Sequence, residues 1–199
     1  MPFKDFLYYF KDFQICYYYD NYQYNSRRLH TKKNCHYWFT FKIYEKGDYY
    51  FSLNQINKRF FARTSDYCYT ACTMTISRID SEGRIHFVGA VQKADKESWV
   101  KTVCQIGVYY CTIYTPWKSS SNEVTWSSYG PQSVTLETIP VSLLGNELYN
   151  SILCDKARSD PKKLLTYKNQ GEPNILYRFE QSNDGFGYFY FENNSKSSI

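Results

Sequence analysis

A chain of 199 residues, 43% of them hydrophobic, has apolar surface enough for one domain with additions, and its 20% aromatic content, with 22 Tyr and 14 Phe, favours pleated, half-buried surfaces. Net charge is +5, from 24 Lys and Arg against 19 Asp and Glu. That excess is milder and less clustered than a nucleic-acid binder carries, which argues against that class. No run of about 18 apolar residues occurs, so no segment is expected to span a membrane.

Phe3, Phe6, Leu7, Phe10 and Phe13 recur at helical spacing with Lys4, Asp5, Lys11 and Asp12 between them, which predicts an amphipathic helix over 3–13. Its apolar stripe needs a surface to cover, on this domain or on a neighbouring one. Ile15, Tyr17 and Tyr19 then alternate against Gln14, Cys16 and Tyr18, a strand-like stretch with a turn at Asp20-Asn21. Arg27, Arg28, His30, Lys32 and Lys33 form the clearest basic run. It reads as a solvated loop or a charged strand edge. Its functional reading, centred on Arg27, Arg28, Lys32 and Lys33, is a surface for anionic lipid or an acidic protein.

Strands are expected at Tyr37–Tyr44 and Tyr49–Asn54, joined through Lys46-Gly47-Asp48 as a short hairpin. A long strand follows at Tyr67–Ile79, then a turn at Asp80-Ser81-Glu82-Gly83 and a strand at Arg84–Val91. Ser98–Cys104 and Val108–Thr115 flank Gly107, and Pro116 stops the second because proline donates no ladder hydrogen bond. Glu123–Ser128 and Ser133–Ile139 frame the turn signal Tyr129-Gly130-Pro131. Short strands at this spacing predict an all-β protein, an antiparallel β-sandwich of about eight strands. Beyond Pro140, Ser142 as N-cap with Leu143, Leu144, Glu147, Leu148, Ile152 and Leu153 predicts a short helix. Lys156–Gly171 reads as a polar linker, and Ile175–Glu180 with Gly187–Glu192 as a C-terminal β-hairpin. A lone hairpin is marginal in water, so this tail is expected to open a second sandwich left incomplete.

The seven cysteines, Cys16, Cys35, Cys68, Cys72, Cys104, Cys111 and Cys154, are odd in number and irregular in spacing. Met1-Pro2-Phe3-Lys4-Asp5 is not the basic-then-apolar opening of a secretory signal. Reduced, mostly buried thiols in a cytoplasmic setting are the expectation. Cys68-x-x-x-Cys72 lacks the histidine partners a zinc site needs, and no metal or other cofactor is expected. Of Trp38, Trp99, Trp117 and Trp126, most are expected in the core; any left exposed would suit a free-standing carbohydrate- or lipid-binding module, the alternative reading.

Phe3-x-Asp5-Phe6-x-x-x-Phe10-x-x-Phe13-x-Ile15-Cys16 resembles the last helix and strand of a calpain-type cysteine protease domain. Asp20-Asn21-Tyr22-Gln23-Tyr24, Gly47-Asp48-Tyr49-Tyr50-Phe51-Ser52-Leu53-Asn54-Gln55 and Tyr114-Thr115-Pro116-Trp117 are similar to pieces of the C2-like β-sandwich that follows it in that family. The resemblance implies a protease-domain end at 1–16 and a C2-like sandwich at 17–140. A helix and linker follow at 141–171, and the start of a second sandwich at 172–199. It implies that Phe3, Phe6, Leu7, Phe10 and Phe13 pack on the protease core of a parent or related chain. The family's catalytic motifs Q-G-x-x-G-D-C-W, G-H-A and N-P-W are not found here, and neither is its dense acidic loop. Peptide cleavage by a thiol requires a His to ionise it and a third group to orient that His. The implied role is therefore a non-catalytic regulatory or structural region that packs on the protease core and docks a protein partner or anionic membrane.

Overall fold

The computed structural model describes residues 2, 4, 8, 17–117, 122–139, 145–158, 165–169, 172–181 and 187–193. In chain order the strands are β1 (Gln23–His30), β2 (Cys35–Ile43), β3 (Gly47–Gln55), β4 (Cys72–Ile79), β5 (Ile85–Lys93), β6 (Glu97–Cys104), β7 (Gly107–Thr115), β8 (Glu123–Gly130) and β9 (Glu137–Thr138). A helix, α1 (Gly145–Arg158), precedes β10 (Leu165–Asn169), β11 (Glu172–Gln181) and β12 (Gly187–Asn193). A four-stranded sheet runs β1-β8-β3-β6, a five-stranded sheet runs β5-β4-β7-β2-β9, and β10-β11-β12 form a third. Every pairing is antiparallel. The protein is thus an all-β sandwich with a helix after it. No described helix is long and apolar enough to cross a membrane.

Alternation produces the sandwich. In β3, Tyr49, Phe51 and Leu53 are buried while Asp48, Tyr50, Ser52 and Asn54 face outward. Phe39, Phe41 and Ile43 of β2, Met74 and Ile76 of β4, and Tyr109, Cys111 and Ile113 of β7 meet them from the opposite sheet, with Trp126 of β8 between. Phe41 stacks on Tyr109 at 5.2 Å and leans on Phe51 at 5.3 Å, so aromatic pairs fill the space between layers. The other face of the five-stranded sheet is covered too. Ile152 of α1 packs with Trp38, with Ile85, Phe87 and Tyr110 around them. Asp155 adds a hydrogen bond from the Phe87 N–H.

Several boundaries differ from the expected ones, each for a local reason. The basic run Arg27–His30 is a charged strand edge and not a solvated loop. It belongs to β1, an edge strand, where charges oppose further pairing. The strand expected from Tyr67 starts at Cys72, because the amide of Gln55 takes both the N–H and the C=O of Thr70. Of the stretch Ser133–Ile139 only Glu137–Thr138 pairs as a strand. Asn25 and Arg27 side chains donate to the carbonyls of Val134 and Leu136 at 2.7 Å each and stitch that segment across the sandwich edge. The stretch read as a linker begins inside α1 and contains β10, which pairs with β11. The terminal hairpin is accordingly part of a three-stranded sheet, tied to α1 where Arg158 grips Glu192 at 2.9 Å and Tyr190. Of the predicted helix over 3–13 only Lys4 and Tyr8 are described, both helical; Phe3, Phe6, Leu7, Phe10 and Phe13 lie outside the described residues, as does Ser142.

Candidate functional site

The C-terminal end of β3 is where the site is built. Gln55 is buried there, and its side-chain amide and backbone N–H together make a four-way strut. Nε2 donates to Thr70 O at 2.7 Å and Asp95 O at 2.9 Å, Oε1 accepts from the Thr70 N–H at 2.9 Å, and the Gln55 N–H reaches Lys96 O at 2.8 Å. One side chain thereby locks the long β3–β4 connection and the β5–β6 turn to the same end of the sandwich. The β1–β2 turn lies there as well, since His30 pairs with Glu123 at the start of β8. Its Thr31 is buried and accepts the Trp117 indole N–H at 2.7 Å. Asn34 takes a positive φ of 56°, which asparagine tolerates better than most residues, to close the turn.

Within the β3–β4 connection a short turn of helix, Lys58–Phe60, is capped by Asn57, whose Oδ1 accepts the Arg59 N–H at 3.0 Å. Phe61 stacks on Tyr67 with ring centroids 3.9 Å apart. Tyr67 is buried, donates its hydroxyl to Ile56 O at 2.6 Å, and has its pKa pushed up to about 12 chiefly by that burial. These contacts turn Phe60 outward, where 83% of its surface meets solvent. Lys58, Arg59 and Arg63 join Phe61, Ala62, Ser65 and Tyr67 around a concavity of about 410 Å³.

Charge at this end is one-sided. Lys32, Lys33, Lys58, Arg59, Arg63 and Lys96 are all exposed, and none has a carboxylate partner among the described residues. Two of the four nearby acids are engaged: Asp95 by Lys93 at 2.7 Å, which holds its carboxyl below the usual range, and Glu123 by Arg28 at 2.9 Å. Asp66 and Glu97 are the exposed exceptions.

Of the residues singled out from the sequence, Lys32 and Lys33 stand in this patch. Arg27 and Arg28 add no free charge to it, because their guanidinium groups, on opposite faces of β1, are each already engaged. Arg27 bends over Phe39 to donate to Leu136 O, and Arg28 pairs with Glu123 on the outer face. Sequence reasoning missed Lys58, Arg59, Phe60 and Arg63. The signal was present in Lys58-Arg59-Phe60-Phe61-Ala62-Arg63, where basic residues interleave with phenylalanines outside any strand pattern.

A second feature is the outer face of the four-stranded sheet. Tyr24, Tyr129 and Tyr50 stand in one row across β1, β8 and β3, and Ser26, Ser127, Ser52 and Trp99 in the next. Trp99 is 56% exposed, while Trp38, Trp117 and Trp126 are buried. Cys72, Cys104 and Cys111 are buried, with burial raising the first two to about 12 and the third higher still. Cys35 turns its sulfur to Lys33 O at 3.5 Å, while the neighbouring His36 ring stacks on Tyr114. No group of three or more metal-binding side chains occurs among the described residues.

No protein-family model matches the chain, and no curated protein matches it.

Proposed function

We propose that this chain is a non-catalytic interaction module that docks on anionic membrane surface through the basic end of its sandwich. The observation that carries the reading is Phe60: a large apolar ring held out in water, on a braced loop, between Lys58, Arg59 and Arg63. An exposed phenylalanine has nothing to gain from water, and full burial of such a ring is worth about 2 kcal/mol. A cation near an anionic leaflet adds about 1 kcal/mol. Together they describe a surface that inserts one ring at the headgroup boundary while its charges meet lipid phosphates. The non-catalytic part of the reading is supported by the inward burial of Cys72, Cys104 and Cys111 and by Cys35 facing a carbonyl oxygen. Attachment of this module to a calpain-type protease core is supported by the sequence resemblance.

The test is co-sedimentation with vesicles of phosphatidylcholine alone or mixed with phosphatidylserine. Binding is expected only with phosphatidylserine present. Phe60→Ala and Lys58→Glu/Arg59→Glu each weaken it about tenfold or more. Equal partition onto neutral vesicles, or indifference to both variants, sinks the proposal. In parallel, thiol-dependent peptidase activity lost on one Cys→Ala change would show the module to be catalytic after all.

Trp99 favours a second reading, a carbohydrate platform. A flat indole beside serine hydroxyls and Asn54 on a sheet suits the apolar face and hydroxyls of a sugar ring. Because the other tryptophans are buried, glycan quenching of intrinsic fluorescence would report on Trp99.

A further inference from the structure

The two sheets of the sandwich end in four edge strands, β1, β6, β5 and β9. An uncovered edge offers unpaired N–H and C=O groups to any other strand, and proteins guard against that. Three of these edges are guarded. β1 carries Arg27, Arg28 and His30, and its Asn25 and Arg27 side chains hold the 134–136 segment. β9 is only two residues long. β5 bulges at Val88, where its register shifts against Ile76 and Ser77, and Asp155 of α1 takes its Phe87 N–H. β6 has none of these guards. Its eight residues run beside β3 in unbroken register, and no strand among the described residues pairs with its other edge.

We propose that β6 is the interface of a homodimer, in which two copies of the chain pair this strand antiparallel and continue the β1-β8-β3-β6 sheet from one into the other. A two-fold axis normal to the sheet reverses the strand and keeps its faces, so the contact is isologous. Side chains fix the register. On the solvent face β6 presents Glu97, Trp99, Lys101 and Val103, with Trp99 and Val103 each 56% exposed. Setting Trp99 on the axis places Glu97 opposite the partner's Lys101, and Lys101 opposite the partner's Glu97. Two ion pairs then flank an indole pair, both of them cross-strand combinations that stabilise antiparallel sheets. Setting Lys101 on the axis would instead oppose like charges. A lysine pointing outward normally guards an edge. Here Asp48 of the same sheet holds Lys101 at 2.7 Å, which neutralises the guard before a second strand arrives. The ammonium has three donors, enough for both carboxylates, and Glu97 has no ion-pair partner among the described residues. Self-complementarity decides for a second copy over a foreign strand, because one strand supplies both signs at the matching spacing. The inference does not rest on the membrane-docking reading. Antiparallel pairing points the two basic ends in opposite directions, so one bilayer meets only one of them.

Sedimentation equilibrium of the full chain, from low micromolar to about 1 mM, reads the mass. It is expected to rise with concentration from 23.7 kDa towards twice that value. Glu97→Lys and Lys101→Glu each set two like-charge pairs across the axis, and each alone is expected to raise the dimer Kd about tenfold or more. Mixed in equal amounts, the two variants face every Lys with a Glu, and dimerisation returns. Both positions are exposed, and recovery on mixing is a result that a folding defect cannot imitate. Trp99→Lys brings two ammonium groups together on the axis and leaves monomer. A monomer at every concentration overturns the proposal. So does a dimer that these variants leave intact, since its contact lies elsewhere, and so does a failure of the mixed variants to recover.

Discussion

Gly130 ends β8 against the ring of Tyr49, and a β-carbon there would lie 2.2 Å from Tyr49 Cδ1. Tyr49 cannot give way, since it is fully buried and its hydroxyl is committed to Glu45 O at 2.8 Å. Gly130→Ala is therefore expected to destabilise the sandwich by about 1–3 kcal/mol, the usual cost of overpacking a core. Urea unfolding measures this directly, and an unchanged midpoint would show that the two strands part more easily than their packing implies. Thiol chemistry belongs to the same scale. A thiol reacts as thiolate. Burial removes access to Cys72, Cys104 and Cys111 and raises their pKa, so folded protein at neutral pH should leave these three unmodified by iodoacetamide. Cys35, Cys68 and Cys154 are half-buried and should label slowly, as peptide mass spectrometry can count. Modification of Cys111 in native buffer would mean the sandwich opens readily.

At the scale of elements, α1 packs on the sandwich through Ile152, with polar contacts beside it. Ile152 meets Trp38 over the five-stranded sheet, and Asp155 accepts the Phe87 N–H beside His86. Ile152→Ala leaves a void between helix and indole and is expected to cost about 2–4 kcal/mol, with Trp38 fluorescence shifting red as water enters. A neutral result would mean that α1 is dispensable to the sandwich. This element also shows what is legible in a sequence. The aromatic and β-branched runs Tyr49–Asn54 and Val108–Thr115, set off by Lys46-Gly47-Asp48 and Gly107, announced β3 and β7, and Pro116 announced the stop. Local pattern failed where a side chain from afar took over backbone hydrogen bonds, as Gln55 does at Thr70 and Asn25 and Arg27 do at Val134 and Leu136. The candidate site fell in that blind region. Lys58 to Arg63 has no period, and only the fold reveals that it shares an end with Lys32 and Lys33.

Across the whole molecule, charge is sorted by end. Lys32, Lys33, Lys58, Arg59, Arg63 and Lys96 gather where β3 finishes, whereas the opposite end mixes signs. There Lys101 pairs with Asp48 at 2.7 Å, and Arg84 with Asp80 and Glu82 at 2.9 and 3.0 Å. The net +5 of the chain thus understates the field at one pole and overstates it at the other. A paired substitution separates the two contributions. Lys58→Glu/Arg59→Glu and Lys42→Glu/Lys46→Glu remove the same amount of positive charge, the first from the basic end and the second from the mixed one. If anionic vesicles attract the molecule by net charge alone, the two variants lose equal affinity. If the basic end docks, the first loses about tenfold or more and the second nearly nothing, because it acts across more than the Debye length of about 8 Å at physiological salt. Raising the salt should then weaken the wild type and the distal variant in parallel, while the residual binding of the basic-end variant shows little salt dependence. Parallel losses in the two variants would leave the sandwich with no preferred pole, and the docking orientation would fall with it.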